Sequence, residues 1–473
     1  MRQPAAAGRQ PDVLSETAGW VEALGWDDLP TPTRRSAGLH VLDAVGVALR
    51  SSRTPFGAGL LDGATGHDTA TGPVGAAGSR TAVLGGRAAR DPRLAALLNG
   101  ALVHGLEFDD THVGSVVHGS AVVLPAALAS ADDERPTADL LLAYVAGWEI
   151  LVRLGLLAPG AYQANGFQTA AICGPIGAAA TVAKLRGAPS DRTRNAMAIA
   201  TSLAGGLMAY AADGANVKRL HLGWAAQGGI AACDLSEWGV RGATGALDGR
   251  QGFLESFAGV PGDFSSFDTL GTRWELEAAS FKEYPCCHFI HAYVDAALEL
   301  RRQVDVASVE RVTCPAHPAI IPVVGMLASE ATDLTRAQYS LALCVAMALQ
   351  EGAVTVDGLE AAVGTRQLVE LGSRVEIVPE PDLPFPGSFG GALTAWAARD
   401  RSLGEVRLDR PRAAGLDPPA GEGMVRAKFT ANVGRHLSED AAEHVADCLL
   451  DPEESRVGEW RSLVAGRQPM RTR

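Results

Sequence analysis

The stretch 99–112 concentrates the chemistry of this chain. It reads Asn99-Gly100-Ala101-Leu102-Val103-His104-Gly105-Leu106-Glu107-Phe108-Asp109-Asp110-Thr111-His112, and His118 follows closely. A run of small apolar residues thus delivers three carboxylates, a threonine hydroxyl and three imidazoles. Purely structural roles rarely need that mixture, so the stretch reads as one wall of an active site. An acidic side chain near His118 would orient its imidazole and set its tautomer for proton transfer. His104 and His112 also suit the plainer role of satisfied core or surface histidines.

Two further sets carry reactive side chains. Lys218 and His221 are spaced three apart in the polar stretch 213–221, and Phe281-Lys282-Glu283-Tyr284-Pro285-Cys286-Cys287-His288 has His291 about one helical turn beyond it. A lysine in an apolar neighbourhood suits substrate carboxylates, because a partly desolvated ammonium attracts anions more strongly than one in open water. The alternative is an ordinary surface lysine. Cys286, Cys287, His288 and His291 lack the second Cys pair of a zinc ribbon, and adjacent cysteines do not easily share a tetrahedral ion, so no metal is expected. No elbow or triad motif supports a nucleophilic cysteine, and a buried thiol is the expected state. Gly387-Ser388-Phe389-Gly390-Gly391 lacks the lysine and the strand-to-helix setting of a phosphate loop, and there is no dinucleotide fingerprint.

These residues must be held by helices. Thr31-Pro32-Thr33 starts one that carries Leu39, Leu42 and Val45 on one face. Helical spacing continues over 92–106, 121–129 and 138–154, and Pro175 sits early enough to open a helix over 174–185. The apolar tract 196–212 predicts a buried helix rather than a membrane span, since it lacks flanking anchors. Residues 224–238 form another helix. Between these lie a Gly-rich loop over 57–86, with at most a short strand at 81–84, and a polar break at 165–169. From Trp274 the character changes: β-like runs at 309–314 and 374–378 alternate with helices at 336–349 and 359–369, an α+β pattern. Residues 411–423 read as a linker, 424–433 as a strand and 438–450 as a helix, whose Val445, Leu449 and Leu450 need a partner surface on the helical part.

At 473 residues the chain is long enough for two domains, and its 47% hydrophobic and 20% charged residues are those of a globular protein. A net charge of -13 argues against a general nucleic-acid binder. With 54 glycines and only 5% aromatics, helices packed through small side chains are favoured over a β-sandwich. Residues 1–11 contain two arginines and no apolar core of secretory length, and seven cysteines are an odd number without a disulfide framework; both point to a reducing cytoplasm.

With these three sets in place, the chain resembles the MmgE/PrpD family, which contains 2-methylcitrate dehydratases, cis-aconitate decarboxylases and iminodisuccinate epimerases. The resemblance runs from about Val13 to Glu454 and is most specific over 99–125, 213–223 and 281–291. It implies a mainly α fold: a large all-helical domain, discontinuous in sequence (11–274 and 423–465), and a smaller α+β lid domain (275–412). It further implies a site in the cleft between them, a homodimer, and neither metal nor organic cofactor. The family's acidic position falls on Glu107, its hydroxyl on Thr111, its histidine on His118 and its two lysines on Lys218 and Lys282. Three departures matter. The usual Asp is Glu107, the usual His-Pro is His118-Gly119, which would free the backbone beside the acid/base, and the Gly-Phe-His-Pro motif reads Gly166-Phe167-Gln168-Thr169. An amide hydrogen-bonds but does not shuttle a proton near neutral pH.

The expected function is a cofactor-free lyase, of dehydratase or decarboxylase type, acting by proton transfer next to a carboxylate on a small polycarboxylate or related acid. His118 is the expected acid/base, Lys218 and Lys282 hold carboxylates, and Glu107 with Asp109 or Asp110 orients those cations. Thr111, Gln168, His221 and Tyr284 complete the substrate-binding set. An isomerase or epimerase of the same family, and a binding or scaffold homologue without catalysis, are the alternatives. No nucleic-acid or membrane partner is expected.

Overall fold

Where helices cross in this protein, glycines meet. In the computed structural model, which describes residues 13–67, 81–86, 89, 91–212, 214–385, 387–413 and 418–465, a Cβ built on Gly100 of the Pro92–Val103 helix would overlap Gly223 of the Lys218–Glu237 helix. One on Gly147 of the Thr137–Leu156 helix would overlap Thr181 of the Thr169–Arg186 helix. Such approaches let backbones pack closely and account for the abundance of Gly and Ala. The Ser120–Ser130 helix completes this stack and is buried along nearly its whole length.

The chain is mainly α, with a smaller α+β part. One core draws on residues between Val13 and Phe281 and again between Val425 and Val464. A second draws on residues between Tyr284 and Val406. In this second part the four-stranded sheet runs in the order Val375–Pro379, Arg311–Ala316, Gly391–Ala397, Arg401–Leu408; the first pair is parallel and the others antiparallel. The His291–Leu300 and Leu341–Glu351 helices pack against it.

The Glu439–Leu450 helix buries Val445, Leu449 and Leu450 and packs on the Thr31–Ser51 helix, where Gly38 leaves room for the backbone of Leu449. The segment before it is not the expected strand. Pro418–Val433 is a helix, because Val425, Phe429 and Val433 recur every four residues and are all buried, Phe429 against Gly46. The linker before it falls partly on residues 414–417, outside the described residues. Three other expectations are corrected. Pro55–His67 is helical rather than loop, since Leu60, Leu61 and Ala64 pack on the core; residues 68–80 lie outside the described residues, and the short strand reduces to isolated bridges of Thr81 with Ala89 and Leu84 with Ala465. The helix expected from Pro175 begins at Thr169 and carries the proline inside, its cost offset by complete burial. The tract 196–212 is not one helix: Ser190–Ala200 ends before Gly205 and Gly206, and the chain then turns back so that Phe167 bridges Leu207. Among the described residues no single helix is long and apolar enough to cross a membrane. All seven cysteines are unpaired and buried.

Two devices tie the stretch 107–112 to the segment that carries Lys282. Thr111–His112 pairs antiparallel with Ala279–Ser280. Below that pair, Glu149 accepts from the backbone N–H groups of Glu275 (3.1 Å) and Leu276 (3.0 Å), Arg153 donates to the Arg273 carbonyl at 2.6 Å, and His112 Nε2 lies 3.3 Å from Glu275.

The packing account predicts opposite signs for two glycine substitutions. Gly100→Ala forces a methyl into the Gly223 backbone and should destabilise by roughly 1–3 kcal/mol. Gly59→Ala, on an exposed helical position with open space around it, should stabilise by about 0.5–1 kcal/mol. Thermal melting of both variants checks the pair, and a Gly100→Ala protein melting with wild type would refute the crossing.

Candidate active site

Asp91 caps the Pro92–Val103 helix by accepting from Arg93 N at 2.9 Å. The helix runs on into a 3-10 turn, His104–Leu106, and the chain then reaches Glu107 in a left-handed conformation (φ 50, ψ 35) that costs a non-glycine residue strain energy. Charge holds it there. Lys218 Nζ donates to Glu107 Oε1, and Lys282 Nζ lies 3.5 Å from Oε2 while donating to the Glu107 carbonyl at 3.0 Å. Burial pushes the Glu107 carboxyl up, but Lys218 and Lys282, then His104 and His118, outweigh burial and hold it well below the usual carboxylate range. Lys218 is the first residue of its helix and also donates to Tyr339 Oη at 2.7 Å.

His118 is oriented mainly by a backbone carbonyl. Its Nδ1 donates to the Asp110 carbonyl at 2.9 Å, with Thr111 Oγ1 at 3.2 Å and the Asp109 carboxylate at 3.9 Å. That leaves Nε2 as the nitrogen for chemistry. Burial drives the imidazole down to about 3; Asp109 opposes this, while His104, Lys282 and Lys218 add to it. The ring is therefore neutral near pH 7. Asp109 is itself held at about 2, burial being outweighed by His104, whose Nδ1 lies 2.9 Å from it, and by His118 and Lys282. The carboxylate of Asp110 is committed elsewhere, to His40 Nδ1 at 2.8 Å and to Ser120.

Gly119 departs from the sequence reading. Its φ of -75 is ordinary, so no backbone freedom is used; a Cβ there would overlap the ring of the buried Trp148. The residue after His118 is small because an indole occupies the space.

A cavity of about 380 Å³ lies between the helical part and the lid. Thr111, His118, Gln168, Lys218 and Tyr210 line one side, and His288, Phe289, Val323, Phe385 and Phe389 the other. Gln168 immediately precedes the Thr169–Arg186 helix without capping it, on a loop held by Gln168 N donating to Gly206 O at 3.0 Å. Its amide bridges two imidazoles: His221 Nδ1 donates to Oε1 at 2.8 Å, and Nε2 donates to His104 Nε2 at 3.4 Å. With His104 Nδ1 turned to Asp109, each tautomer in this chain is set. His221 is driven down to about 4, by burial first and then by His104 and Lys218.

The structure thus brings Glu107, Asp109, Thr111, His118, Gln168, Lys218, His221 and Lys282 together. Of these, Lys282 is fully buried behind the cavity and turned to Glu107, off the cavity wall. Asp110 supports from beneath. Tyr284 stands apart, its hydroxyl donating to Asp295 at 2.7 Å in the lid core. His104, Asp109 and His118 each offer a metal-ligand atom within 4.8 Å of the others, as do His444, Cys448 and Glu459, whereas Cys286, Cys287, His288 and His291 form no such group. In the first of these groups His104 Nδ1, Asp109 Oδ2 and His118 Nδ1 are already engaged in the hydrogen bonds described above.

Several contributors escape sequence reasoning. Gln338 Nε2 donates to the Leu106 carbonyl and to the Pro285 carbonyl (3.0 Å), while its Oε1 accepts from Arg219 at 3.0 Å. Lys428 Nζ donates to the Phe108 carbonyl at 2.7 Å and pairs with Asp43 at 2.8 Å. Neither residue belongs to a motif. His288 lines the cavity with both ring nitrogens unpartnered and its imidazole held neutral by burial, then by His291 and Lys282. Its sequence signal was the His288/His291 spacing.

The sequence pattern of the MmgE/PrpD N-terminal domain matches residues 15–263, and that of the MmgE/PrpD C-terminal domain matches residues 284–451. A cis-aconitate decarboxylase-like protein, oryM, of Aspergillus oryzae is 26% identical, covering 96% of this chain and 98% of its own. The cis-aconitate decarboxylase of Homo sapiens is 30% identical over 77% of each chain, and that of Aspergillus terreus is 30% identical over 64% of this chain and 63% of its own. With both domain patterns in register along most of its length, the chain belongs to the MmgE/PrpD family.

Proposed function

We propose that this enzyme, a lyase of dehydratase or decarboxylase type, acts without a cofactor by moving a proton at the carbon next to a carboxylate of a small organic acid. The observation that carries this reading is His118: a neutral imidazole on the cavity wall, its Nδ1 fixed by the Asp110 carbonyl and its Nε2 available, with Thr111 and Lys218 on the same wall. Lys218 attracts the substrate carboxylate and stabilises charge as it develops on the adjacent carbon. His118 Nε2 takes or returns the proton, and an arriving carboxylate raises its proton affinity. Lys282 acts through Glu107, holding the carboxylate that orients Lys218. Gln168 keeps His104 and His221 in one tautomeric arrangement and moves no proton itself. The names of the curated relatives support decarboxylation of an unsaturated polycarboxylate as the parent chemistry.

We further propose a homodimer. The Lys218–Glu237 helix leaves Trp224 54% exposed, with Val217 and Leu207 also exposed nearby in the chain, an apolar surface suited to a second copy.

Solvent deuterium incorporation into a panel of carboxylic acids tests the chemistry. His118→Ala should slow exchange by roughly two to four orders of magnitude with the fold retained. A variant exchanging at the wild-type rate removes His118 from the reaction.

Gln168→Leu should leave His221 Nδ1 and His104 Nε2 without their amide partner, costing about 1–3 kcal/mol of stability by urea unfolding and slowing exchange. Gln168→His should leave exchange unchanged or impair it. Wild-type exchange in Gln168→Leu would place this position outside the working site.

The buried histidines also set the acid sensitivity. His118 (about 3), His221 (about 4), His288 and His291 all lie below the ordinary 6.5 in the folded protein, so the unfolded chain binds more protons between those values and pH 6.5. Stability should therefore fall as pH drops below about 6.5, well above the carboxylate range. Urea midpoints at closely spaced pH values check this; a midpoint constant from pH 7 down to pH 5 would contradict it.

A further inference from the structure

The last two helices carry a group of side chains that the reaction does not use. His444 and Cys448 lie one turn apart on the Glu439–Leu450 helix, and Glu459 approaches them from the Val457–Val464 helix. An imidazole nitrogen, the sulfur and a carboxylate oxygen of these three lie within 4.8 Å of one another. Cys448 Sγ and His444 Nε2 are 3.7 Å apart. A tetrahedral zinc ion, with sulfur at about 2.3 Å and nitrogen at about 2.0–2.1 Å, sets two such atoms roughly 3.5–3.6 Å apart. The pair therefore already stands near the separation that coordination requires.

The surroundings hold the group in place. Ser455 Oγ donates to the Cys448 carbonyl at 2.8 Å, and the N–H groups of Val457 and Gly458 donate to the carbonyls of Arg135 and Asp133 at 2.9 Å, which fixes the turn between the two helices. Glu459 Oε1 accepts from the Arg456 N–H at 3.2 Å, an orienting bond of the kind that ligating carboxylates use. The nearby guanidinium groups are engaged by other partners, Arg456 by the Glu134 carbonyl and Arg461 by Asp133. Residues 439–459 contain eight Asp or Glu and one Arg, a field that draws cations. His444 and Glu459 are exposed and Cys448 is buried beneath them, so an ion has access from solvent and a soft ligand at the base.

We propose that His444, Cys448 and Glu459 bind one zinc ion, with water in the fourth position, as a clamp between the two C-terminal helices. The Zn–S bond forms as the Cys448 S–H bond breaks, the proton passing to solvent, and no oxidation state changes. Thiolate and imidazole select zinc over hard cations such as calcium and magnesium. None of the three residues lines the cavity, so the ion takes no part in the chemistry proposed there. Its effect is on stability: it joins a helix packed on Thr31–Ser51 to one whose end bridges Leu84 through Ala465.

Titration of the full-length protein, first stripped with a chelator, with Co2+ and then with competing Zn2+ tests it. Cobalt should produce a thiolate-to-metal charge-transfer band that saturates at one ion per chain, zinc should displace it, and zinc should raise the melting temperature. The group of His104, Asp109 and His118 contains no sulfur and cannot give that band. Cys448→Ser should abolish it. His444→Ala, at an exposed position, and Glu459→Gln, which keeps the helix cap, should each weaken cobalt binding at least about tenfold, the lower bound for losing even an outer partner of a metal site. Absence of the band in the wild-type protein, its persistence in a folded Cys448→Ser, or unchanged affinity in a folded His444→Ala or Glu459→Gln overturns the proposal.

Discussion

Four consecutive or near-consecutive carbonyls, those of Leu106, Glu107, Phe108 and Asp110, are buried on an irregular backbone and need donors from elsewhere. A helix or sheet would satisfy them locally; this loop does not. Gln338 takes the first, Lys282 the second, Lys428 the third and His118 the fourth. The donors come from the lid, from the junction of the two parts, from the C-terminal helix and from the loop itself. Burying the reactive loop is thus possible only when both parts of the fold and the returning C-terminal segment are in place.

The same arrangement sets the charges. Lys282 donates to the Glu107 carbonyl and faces its carboxylate, so one ammonium secures the backbone and tunes the side chain together. Glu107 in turn holds Lys218 at the cavity edge. Buried ion pairs are weak sources of net stability, yet removing one partner leaves an uncompensated charge at a cost of about 3–5 kcal/mol. The cluster is therefore better understood as a device for fixing position than as a source of folding energy, and the left-handed Glu107 is the strain that this fixing supports.

Gln168 and Gly119 show how a departure from a family pattern becomes intelligible through its neighbours. The amide at 168 offers an acceptor to His221 and a donor to His104, the two complementary bonds a bridge between imidazoles requires. Gly119 exists for Trp148, which in turn lies 5.8 Å from Tyr144 and 5.6 Å from His40, ring to ring. One substitution reflects hydrogen-bond logic and the other volume.

The sequence by itself determined that the protein is mainly helical with a smaller α+β part, because periodic apolar positions and abundant small residues are local properties of the chain. It also picked out the candidate site residues that the fold gathers: Glu107, Thr111, His118, Lys218 and Lys282 were legible from dense polar clusters in apolar surroundings. Element type failed where tertiary packing overrode local signals, as in the helix over Pro418–Val433 and in the helix start moved ahead of Pro175. Only the tertiary structure decided that Lys282 faces Glu107 rather than the cavity, that Tyr284 serves the lid core, and that Gln338, Lys428 and His40 support the loop. Apart from the Tyr284–Asp295 contact, which spans 11 positions, those roles depend on contacts between residues from 70 to more than 300 positions apart, and a single sequence records the residue at each end of such a contact but not the distance between them.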